Sequence, residues 1–505
     1  MIPPAGVAAA TRIADRRPRV LVIGDALLDS WVYGSAHRTA RDAPVPVVEQ
    51  TSTRETPGGA ANTAAAAAAL GADTELVAVI GDDADGRRLR ELLHAAGVRT
   101  DRCPVDPANP TPAKHRVVVG PDGAGGGHAV ARYDITSPVP PGTAAQRVLA
   151  DQAVAAMAER PDAVIIADYG TGATAAPLVR RRLERMRSAV PLLVVDAHAL
   201  RPWAALSPDV VTPNEEEAAA LRGEPVRRAR GRDRVAHYAE RHFDLVAAAG
   251  GAEVLLTLDT DGALRLPADG SAPVHRPAPA PAAPIATCGA GDVFAAAWTA
   301  AVAAGADRDE ALALAQTAAD VVVGLPGTAV CTAGALTAEL AAREPGRVLG
   351  RRDLLTVLAE HRAAGHRIVF TNGCFDVLHR GHVAYLREAR ELGDVLVVAL
   401  NSDESVRRLK GPERPVNPLT DRAGVVGALA AVDLVTSFEE DSPVELLDLV
   451  RPDVYAKGGD YTPDMLPETP VVRAQGGEVR ILGYLPDHST SAIVARTRAG
   501  TGVVS

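Results

Sequence analysis

The chain has 505 residues, too many for a single hydrophobic core, so its length predicts two or three domains. Hydrophobic residues make up 47% and charged residues 23%, as in ordinary soluble globular proteins. The net charge of −10 argues against a nucleic-acid-binding protein, which would need a basic face for phosphate contacts.

No segment of the sequence is predicted to enter or cross a membrane. The first residues lack a basic head followed by a continuous apolar core, which a secretory signal requires. The apolar run at 61–72 is much shorter than the ~20 residues of a membrane-spanning helix. The four cysteines form no C-x-x-C pair, which argues against a zinc knuckle or a disulfide framework. We therefore expect a cytoplasmic protein with reduced thiols.

Six short apolar runs predict buried strands in the first part of the chain. They cover residues 19–25, 75–82, 163–170, 191–197, 209–214 and 253–258. Segments of helical length lie between several of them, and this alternation predicts βαβ units around a largely parallel sheet. Polar residues follow most of the runs, at the edge where such sheets bind ligands.

Acidic and glycine residues near the early strands form a candidate sugar site. Asp25 and Asp29 lie just past the first run, where carboxylates can hold sugar hydroxyls. Gly58, Gly59 and Asn62 lie at a turn that enters a helix, which allows the backbone to approach a ligand closely. We expect these five residues to contact the sugar.

A late glycine-rich segment is a candidate site for phosphoryl transfer. Gly289, Ala290 and Gly291 leave backbone N–H groups unblocked at the start of an amphipathic helix, as an anion hole for phosphate requires. Asp292 lies one residue further, where it could accept the proton of an attacking hydroxyl. A glycine-rich turn with an acidic helix start is the structural alternative. The preceding Pro- and Ala-rich residues 271–285 are predicted to form an edge strand and loop of the same domain.

A second series of apolar runs predicts another α/β unit, of about 150 residues. The runs cover residues 367–373, 394–403, 433–438, 453–460 and 478–484. No strand pattern crosses residues 334–352. The chain is therefore predicted to divide into a first domain at 15–340, a linker at 341–352 and a second domain at 353–505.

The segment 367–382 ends in four polar side chains that allow three interpretations. Cys374, Asp376, His379 and His382 could ligate zinc, but the intervening residues would have to fold back tightly. The histidines could also have a structural, helix-capping role. A phosphate site explains more, because both histidines would lie at a helix N-terminus that favours anions. Their imidazoles could bind the phosphates of a nucleoside triphosphate and stabilise charge as pyrophosphate leaves.

The first half resembles the ribokinase-like sugar kinases over residues 15–335. The likeness rests on three motifs in the family's order: Gly-Gly-x-x-Asn at 58–62, Asn-x-x-Glu at 214–217 and Gly-Ala-Gly-Asp at 289–292. The resemblance implies that Asp292 is the catalytic base. It also implies that Asn214 and Glu217 act in nucleotide binding through Mg²⁺ and its waters.

Three positions depart from that family's pattern. Ala286 and Cys288 stand where its members usually have an Asp and a hydroxyl residue, and His198 stands where close relatives usually have Lys. These changes affect phosphate binding and lid contacts more than they affect the catalytic base, Asp292. They leave open an alternative in which the kinase half is weak or inactive.

The second half resembles the nucleotidyltransferase superfamily marked by His-x-Gly-His, over residues 365–500. The resemblance implies that His379 and His382 stabilise the transition state. It also implies phosphate contacts from a late Ser/Thr signature, here Ser489 and Thr490. We further expect nucleotide or phosphate contacts from these residues: Thr371, Asn372, Gly373, Asp376, Lys410, Arg422 and Lys457.

The order of the two halves is similar to that of the bifunctional heptose 7-phosphate kinase / heptose 1-phosphate adenylyltransferase family. Dense matches include "PVPVVE", "TNGCFDVLHRGHVAYL" and "KGGDYTP". The resemblance implies ATP-dependent phosphorylation of D-glycero-β-D-manno-heptose 7-phosphate at O1, and adenylyl transfer from ATP to heptose 1-phosphate. ATP and Mg²⁺ are the implied co-substrate and cofactor. A separate phosphatase must act between the two steps, and a homodimer is implied.

The 7-phosphate of such a sugar needs cations, and our candidates are Lys114, Arg116 and Arg132. For each of them, placement on the surface is the alternative.

Functional alternatives also remain. They are a transferase that uses another sugar or CTP, a chain with only one live site, and a non-catalytic nucleotide-binding regulator. The presence of Asp292, both histidines and Lys410 argues against the regulator, because a sensor has no need of a base.

Overall fold

The computed structural model describes a chain that separates into two compact units between Leu336 and Thr337. The described residues are 5–120, 127–137, 141–170, 173–224, 232–278, 288–323, 325, 327–342, 348–459 and 462–483. Each unit is built on a parallel or mainly parallel sheet with helices between its strands, so the predicted α/β class is confirmed.

The first unit contains most of the described elements. Its strands are β1 (Arg19–Gly24), β2 (Ala26–Thr39), β3 (Pro46–Gly59), β4 (Asp73–Val77), β5 (Ile80–Gly81), β6 (Val105–Asp106), β7 (Ala113–Val119), β8 (His128–Ile135), β9 (Ala163–Asp168), β10 (Leu193–Ala197), β11 (Val210–Val211), β12 (Glu253–Thr257), β13 (Ala263–Leu266) and β14 (Val274–Arg276). Its helices are α1 (Ala5–Arg16), α2 (Ala60–Ala69), α3 (Ala84–Ala95), α4 (Thr143–Ala158), α5 (Pro177–Glu184), α6 (Glu215–Arg222), α7 (Arg232–Glu240), α8 (His242–Ala248), α9 (Ala290–Ala303) and α10 (Arg308–Val323), with α11 (Ala333–Ala342) at the division between the units.

The central sheet of this unit has the strand order β14-β13-β12-β11-β10-β9-β1-β4. The strands from β4 to β12 are parallel, and β13 and β14 are antiparallel additions. β9 is apolar and buried throughout, up to its terminal Asp168, as expected of a sheet covered on both faces. Each of the six predicted runs contains a strand, although the run at 75–82 splits between β4 and β5. The edge strand predicted within 271–285 is confirmed as β14.

A second sheet of this unit, with the order β3-β2-β7-β8, was missed by the sequence analysis. The pairing of β2 with β3 has register shifts at Tyr33/Gly34 and Ala36/Arg38, and most of β3 is not buried. These irregularities remove the clean alternation by which a half-buried strand is recognised. In consequence Asp29, expected just past the first strand, lies inside the unpredicted strand β2, opposite Lys114 of β7.

The second unit has one parallel sheet with the order β17-β16-β15-β18-β19. Its strands are β15 (Ile368–Gly373), β16 (Val395–Asn401), β17 (Leu434–Phe438), β18 (Val454–Gly458) and β19 (Glu478–Leu482). Its helices are α12 (Arg351–Ala363), α13 (Arg380–Arg390), α14 (Asp403–Lys410), α15 (Leu419–Gly427), α16 (Val444–Val450) and α17 (Thr469–Ala474). All five predicted runs contain a strand. Leu349, within the predicted linker, pairs with Thr436 and so packs on this sheet.

In the described part of the chain, no helix combines the length and the apolar character needed to cross a lipid bilayer.

Candidate active sites

Helix α9 begins directly after Gly289, whose φ of 83° lies in the left-handed region that glycine adopts at low cost. A Cβ at Gly289 would also come within 2.7 Å of Asn62 Nδ2, so any other residue would displace that side chain. At Gly291, by contrast, a Cβ would meet nothing within 4 Å. The predicted anion-hole segment therefore lies at a helix N-terminus with open space beside it.

Asp292, in the first turn of α9, lies in a hydrogen-bonded group whose members come from distant parts of the chain. Asn62 Nδ2 donates to its Oδ2 at 2.8 Å, and the Tyr169 hydroxyl lies 2.5 Å from its Oδ1. The same hydroxyl lies 2.6 Å from Oδ2 of Asp196, whose Oδ1 accepts a hydrogen bond from Thr212. Desolvation, followed by the charge of Asp196, raises the pKa of Asp292 to about 7. A carboxyl with this pKa is suited to general-base catalysis near neutral pH.

Tyr169 and Asp196 were not predicted as site residues from the sequence, although both lie at the carboxyl ends of predicted strands. Tyr169 directly follows β9, and Asp196 lies near the end of β10, the neighbouring parallel strand. Polar residues at the carboxyl ends of adjacent parallel strands meet at the ligand-binding edge of such a sheet. Applied to the strands predicted at 163–170 and 191–197, this rule would have identified both residues as site candidates.

A cavity of about 370 Å³ adjoins this group, and its lining includes Asp25, Lys114, Asp134 and Tyr169. Asp25 is buried, and its carboxylate accepts hydrogen bonds from the backbone N–H of Tyr169 at 3.1 Å and from the Thr174 hydroxyl at 2.8 Å. Tyr169 thus contacts a carboxylate of the cavity wall through its backbone and Asp292 through its side chain. Among the described lining residues, Lys114 supplies the positive charge.

The other predicted sugar-site residues lie beside this cavity without being among its described lining residues. Arg116 Nη1 donates to Asp29 Oδ1 at 2.7 Å, and its Nη2 lies 3.2 Å from the sulfur of Cys288. A Cβ at Gly58 would come within 2.6 Å of Asp29 Oδ2, so this glycine makes room for the carboxylate. Gly59 ends β3 and Asn62 lies in α2. Of the three cations predicted for the sugar phosphate, Lys114 lines the cavity, Arg116 pairs with Asp29, and Arg132 pairs with Asp134.

Asn214 and Glu217 form a reciprocal cap at the start of α6. The Asn214 side chain accepts from the Glu217 N–H at 2.9 Å, and Glu217 Oε2 accepts from the Asn214 N–H at 2.9 Å. Glu217 Oε1 lies 2.8 Å from His198 Nδ1, and this hydrogen bond raises the pKa of His198. The Asn-x-x-Glu spacing that predicts a magnesium contact is therefore also a capping box.

In the second unit, His379 and His382 lie together at the start of α13, as the phosphate interpretation requires. His379 is the N-cap residue, and the two ring centroids are 3.9 Å apart. Nδ1 of His382 is buried without a hydrogen-bond partner among the described residues. Burial, with the positive charges of His379 and Lys410, lowers the pKa of His382 to about 4. A neutral imidazole with a buried, unpaired polar atom thus lies in the first turn of α13.

The end of β15 brings together three of the other predicted phosphate-site residues. Asn372 Oδ1 accepts hydrogen bonds from Lys457 Nζ at 2.9 Å and from the Tyr455 hydroxyl at 2.8 Å. Burial lowers the pKa of Lys457. The Thr371 hydroxyl contacts that of Tyr385. Tyr455 was not predicted from the sequence, because it lies between the apolar residues Val454 and Ala456 in β18.

Gly373 and Lys410 are placed differently from this cluster. A Cβ at Gly373 would come within 2.9 Å of the Phe375 ring, so glycine makes room for that side chain. Lys410 is exposed at the C-terminus of α14, and its charge acts on His382. Ser489 and Thr490 lie outside the described residues, as does Ala286.

The contacts of Asp376 favour a structural role over the predicted nucleotide contact. Its buried Oδ1 accepts from the backbone N–H of Val416 at 2.7 Å and of Asn417 at 3.1 Å, and Arg414 pairs with Oδ2. The carboxylate therefore fixes the segment that precedes α15. Both oxygens of the carboxylate are thus already engaged, which weakens the zinc interpretation.

Arg422 is likewise committed to structure. Its side chain is fully buried, and its guanidinium donates to these acceptors: the carbonyls of Cys374, Asn401 and Asn417 and the carboxylate of Asp403. These contacts join the segment between β15 and α13, which carries His379, to the end of β16 and the start of α14. We call this segment the histidine loop. We therefore expect Arg422 to hold the loop rather than to bind phosphate.

The substitution Arg422→Leu is expected to destabilise the second unit by about 3–5 kcal/mol, because it leaves Asp403 and three carbonyls without their partner. Urea unfolding followed by far-UV circular dichroism measures this. The three tryptophans, Trp31, Trp203 and Trp298, all lie in the first unit, so the transition in tryptophan fluorescence should not move. Arg408→Leu is the control, because it removes an exposed pair with Asp441 worth about 0–1 kcal/mol. Equal effects of the two substitutions would contradict the structural role.

Comparison with known proteins identifies the family. The model of the pfkB family of carbohydrate kinases matches residues 17–124 and 189–334, and the cytidylyltransferase-like model matches residues 370–493. The chain is 39% identical over 490 residues to the Bifunctional protein HldE of Rhodopseudomonas palustris (strain BisB18), covering 96% of this chain and 97% of that protein. The chain belongs to the bifunctional HldE family. It joins a carbohydrate kinase domain to a nucleotidyltransferase domain, as the sequence analysis predicted.

The likeness to the HldE family extends over both halves. The HldE protein of Edwardsiella ictaluri (strain 93-146) is 40% identical over 498 residues, which cover 96% of this chain and 98% of that protein. Among solved structures, phosphofructokinase-2 from Escherichia coli in complex with substrates and products is 23% identical, with a TM-score of 0.50. The match covers 63% of this chain and 97% of the phosphofructokinase-2 chain, and it supports the fold of the kinase half.

Proposed function

We propose that this member of the HldE family makes ADP-heptose in two separate active sites. The first domain phosphorylates D-glycero-β-D-manno-heptose 7-phosphate at O1 with ATP. The second transfers AMP from ATP to heptose 1-phosphate and releases pyrophosphate. The observation that carries the kinase half is the Asp292 carboxyl, with its raised pKa, at the N-terminus of α9 and beside the cavity.

In the kinase step, Asp292 takes the proton of the O1 hydroxyl while that oxygen forms its bond to the γ-phosphorus of ATP. The bond from the γ-phosphorus to the bridging oxygen breaks, and ADP leaves. The backbone N–H groups of Gly289, Ala290 and Gly291 stabilise the charge on the transferred group. Asp25 and Lys114 hold the acceptor in the cavity, with the Lys114 ammonium directed to its phosphate.

Magnesium fits the donors of the kinase site through water. Both carboxylate oxygens of Glu217 already accept hydrogen bonds in the cap of α6 or from His198, so the carboxylate would orient metal-bound waters rather than bind the ion directly. Asn214 would assist. The ion would neutralise charge on the phosphates of ATP.

In the transferase step, an oxygen of the sugar 1-phosphate forms its bond to the α-phosphorus of ATP, and the bond to pyrophosphate breaks. We propose that His379, His382 and Lys457 stabilise the charge that develops, and that Lys410 contributes through its charge near His382. The contact between the two imidazoles, the effect of Lys410 on the pKa of His382 and the hydrogen bond from Lys457 to Asn372 support this assignment. Thr371 and Asn372 orient the groups around Lys457. Ser489 and Thr490 complete the proposed phosphate contacts.

Product analysis of the purified chain tests both halves. Heptose 7-phosphate and ATP should yield ADP and a heptose bisphosphate, and ADP-heptose should form only after a heptose bisphosphate phosphatase is added. Replacing ATP by CTP in the second step, with heptose 1-phosphate supplied, should abolish product. Formation of a CDP-sugar, or of ADP-heptose without the phosphatase, would contradict the proposal. The same proposal includes the dependence on a separate phosphatase, a homodimer and a cytoplasmic location. Light scattering tests the dimer.

The two activities are expected to differ in their response to acid. With a pKa of about 7, Asp292 takes up a proton in acid, so the kinase kcat/KM should fall as the pH is lowered below about 7. With a pKa of about 4, His382 stays neutral above about pH 5, so protonation of His382 should not lower the transferase kcat/KM between about pH 5.5 and 8. Both profiles are measured on one preparation at saturating Mg²⁺. If kcat/KM fell in the same way at low pH for both activities, Asp292 would not be the group that sets the pH dependence of the kinase.

A further inference from the structure

The Tyr169 hydroxyl makes two hydrogen bonds to carboxyl groups. Together these bonds need one more proton than a tyrosine and two ionised carboxylates provide. The phenol oxygen lies 2.5 Å from one carboxylate oxygen of Asp292 and 2.6 Å from one of Asp196. Both distances are those of O–H···O hydrogen bonds. A phenol has one proton to donate, and an ionised carboxylate can only accept. Two such hydrogen bonds therefore need a second proton, carried by one of the two carboxyl groups.

The remaining hydrogen bonds show which arrangement makes Asp292 ready to act as a base. The proton can lie on Asp196, which then donates to the Tyr169 oxygen, while the Tyr169 O–H donates to Asp292. Asp292 is then ionised, with Tyr169 on Oδ1 and Asn62 on Oδ2. Asp196 Oδ1 accepts from Thr212, so its Oδ2 is the oxygen that carries the proton. If the proton instead lies on Asp292, the base is blocked.

Tyr169 is fixed in this position by contacts at both ends. Its backbone N–H donates to Asp25 in the cavity wall, and its ring packs edge-on against His198 with the centroids 5.3 Å apart. Burial and the two carboxylates raise its pKa well above the ordinary value, so the phenol keeps its proton. The charged groups that act on Asp292 and Asp196 from neighbouring elements are Asp29 of β2, Glu217 of α6 and His198.

We propose that Tyr169 is a positioning residue of the kinase site, which shares one proton between Asp292 and Asp196 and thereby sets the fraction of Asp292 that is ionised. This inference rests on the proposed role of Asp292 as the base. In the reaction the O1 proton passes to Asp292, while the shared proton stays on Asp196. No covalent bond beyond those of the phosphoryl transfer is involved.

The first experiment observes the shared proton without substrate. Proton NMR of the full chain at about pH 6, where one carboxyl of the coupled pair is protonated, should show a strongly hydrogen-bonded proton far downfield of the amide region. Tyr169→Phe, which keeps the ring, should lose this resonance. Tyr238→Phe should keep it, because Tyr238 is a buried tyrosine whose hydroxyl also contacts a carboxylate, Glu215, away from the site. A spectrum in which Tyr169→Phe and the unmodified chain coincide would overturn the proposal.

The second experiment separates positioning from folding by kinetics. Tyr169→Phe should lower the kinase kcat about tenfold to hundredfold, with less than about a threefold change in the KM of either substrate. Its acid limb should move to higher pH, because the hydrogen bond from Tyr169 lowers the pKa of Asp292. Asp196→Asn should move the limb to lower pH, because the amide never carries the negative charge that raises the pKa of Asp292, and it can still donate to the Tyr169 oxygen. Adenylyl transfer by the same variants serves as the folding control.

These outcomes distinguish the two proposals. An unmodified chain without kinase activity would refute the proposed function, while the resonance would still report on the shared proton. An active chain in which both substitutions move the acid limb in the same direction, or leave it in place, would overturn the role of Tyr169. A loss of kcat in Asp196→Asn as large as that in Tyr169→Phe would also overturn it, since it would point to a direct role for the Asp196 charge.

Discussion

The substitution Asp292→Asn should lower the kinase rate by about 10²–10⁴-fold, because an amide cannot accept the proton of the attacking hydroxyl. Asn is isosteric with Asp, so its side-chain oxygen can still accept from Asn62. ADP release with heptose 7-phosphate and ATP, measured in a coupled assay at saturating substrates, quantifies the loss. Adenylyl transfer from ATP to heptose 1-phosphate should be unchanged, because it takes place in the other unit.

A surface substitution of the same kind provides the control for Asp292→Asn. Asp269→Asn alters a fully exposed carboxyl that bonds locally to Ser271, and it should leave both activities within about twofold. A kinase rate for Asp292→Asn within tenfold of the unmodified chain would contradict the general-base role. Equal losses of kinase and transferase activity would indicate misfolding instead.

The substitution His382→Ala should lower adenylyl transfer by about 10²–10³-fold and leave the kinase unchanged, because it removes a preorganised donor at the helix N-terminus. His379→Asn should lower it by a similar factor. Asn is a favoured N-cap residue, so α13 keeps its start while the imidazole is lost. Pyrophosphate release with heptose 1-phosphate and ATP measures both effects.

A conservative variant and a mixing experiment complete this test. His382→Gln keeps a side-chain donor and should lose less activity than His382→Ala. When the phosphatase is present, a mixture of Asp292→Asn and His382→Ala chains should form ADP-heptose, since the sugar phosphates diffuse between the two sites. Failure of the mixture, with each chain retaining its other activity, would contradict two independent sites. Retention of full transferase activity by His382→Ala would remove the histidine from the mechanism.

Much of the fold could be predicted from the sequence, because buried parallel strands contain a continuous apolar run that is recognised without knowing which strand pairs with it. β1, β9, β15 and β16 are of this kind. The sheet of β2, β3, β7 and β8 was missed, because its strands carry polar residues and register shifts. Which of their side chains face inward depends on the pairing, and the pairing is a long-range property.

The candidate sites divide in a similar way. Asp292, His379 and His382 were predicted because each lies in a short motif next to a helix start, and a helix N-terminus acts on residues adjacent in sequence. Arg422 and Lys410 looked equivalent as cations near the same segment. The structure buries the first among carbonyls and leaves the second exposed, a difference that no local pattern encodes.

By itself, the sequence determined which chemistry each half of this protein contains: a carboxylate after a glycine-rich turn in one, and paired imidazoles after a strand in the other. The tertiary structure alone decided the state of those groups. The proton affinity of Asp292 depends on Asn62, Tyr169 and Asp196, which are brought together from distant parts of the chain. Desolvation and through-space charge act over a few ångströms regardless of separation along the chain, so only the folded arrangement fixes them.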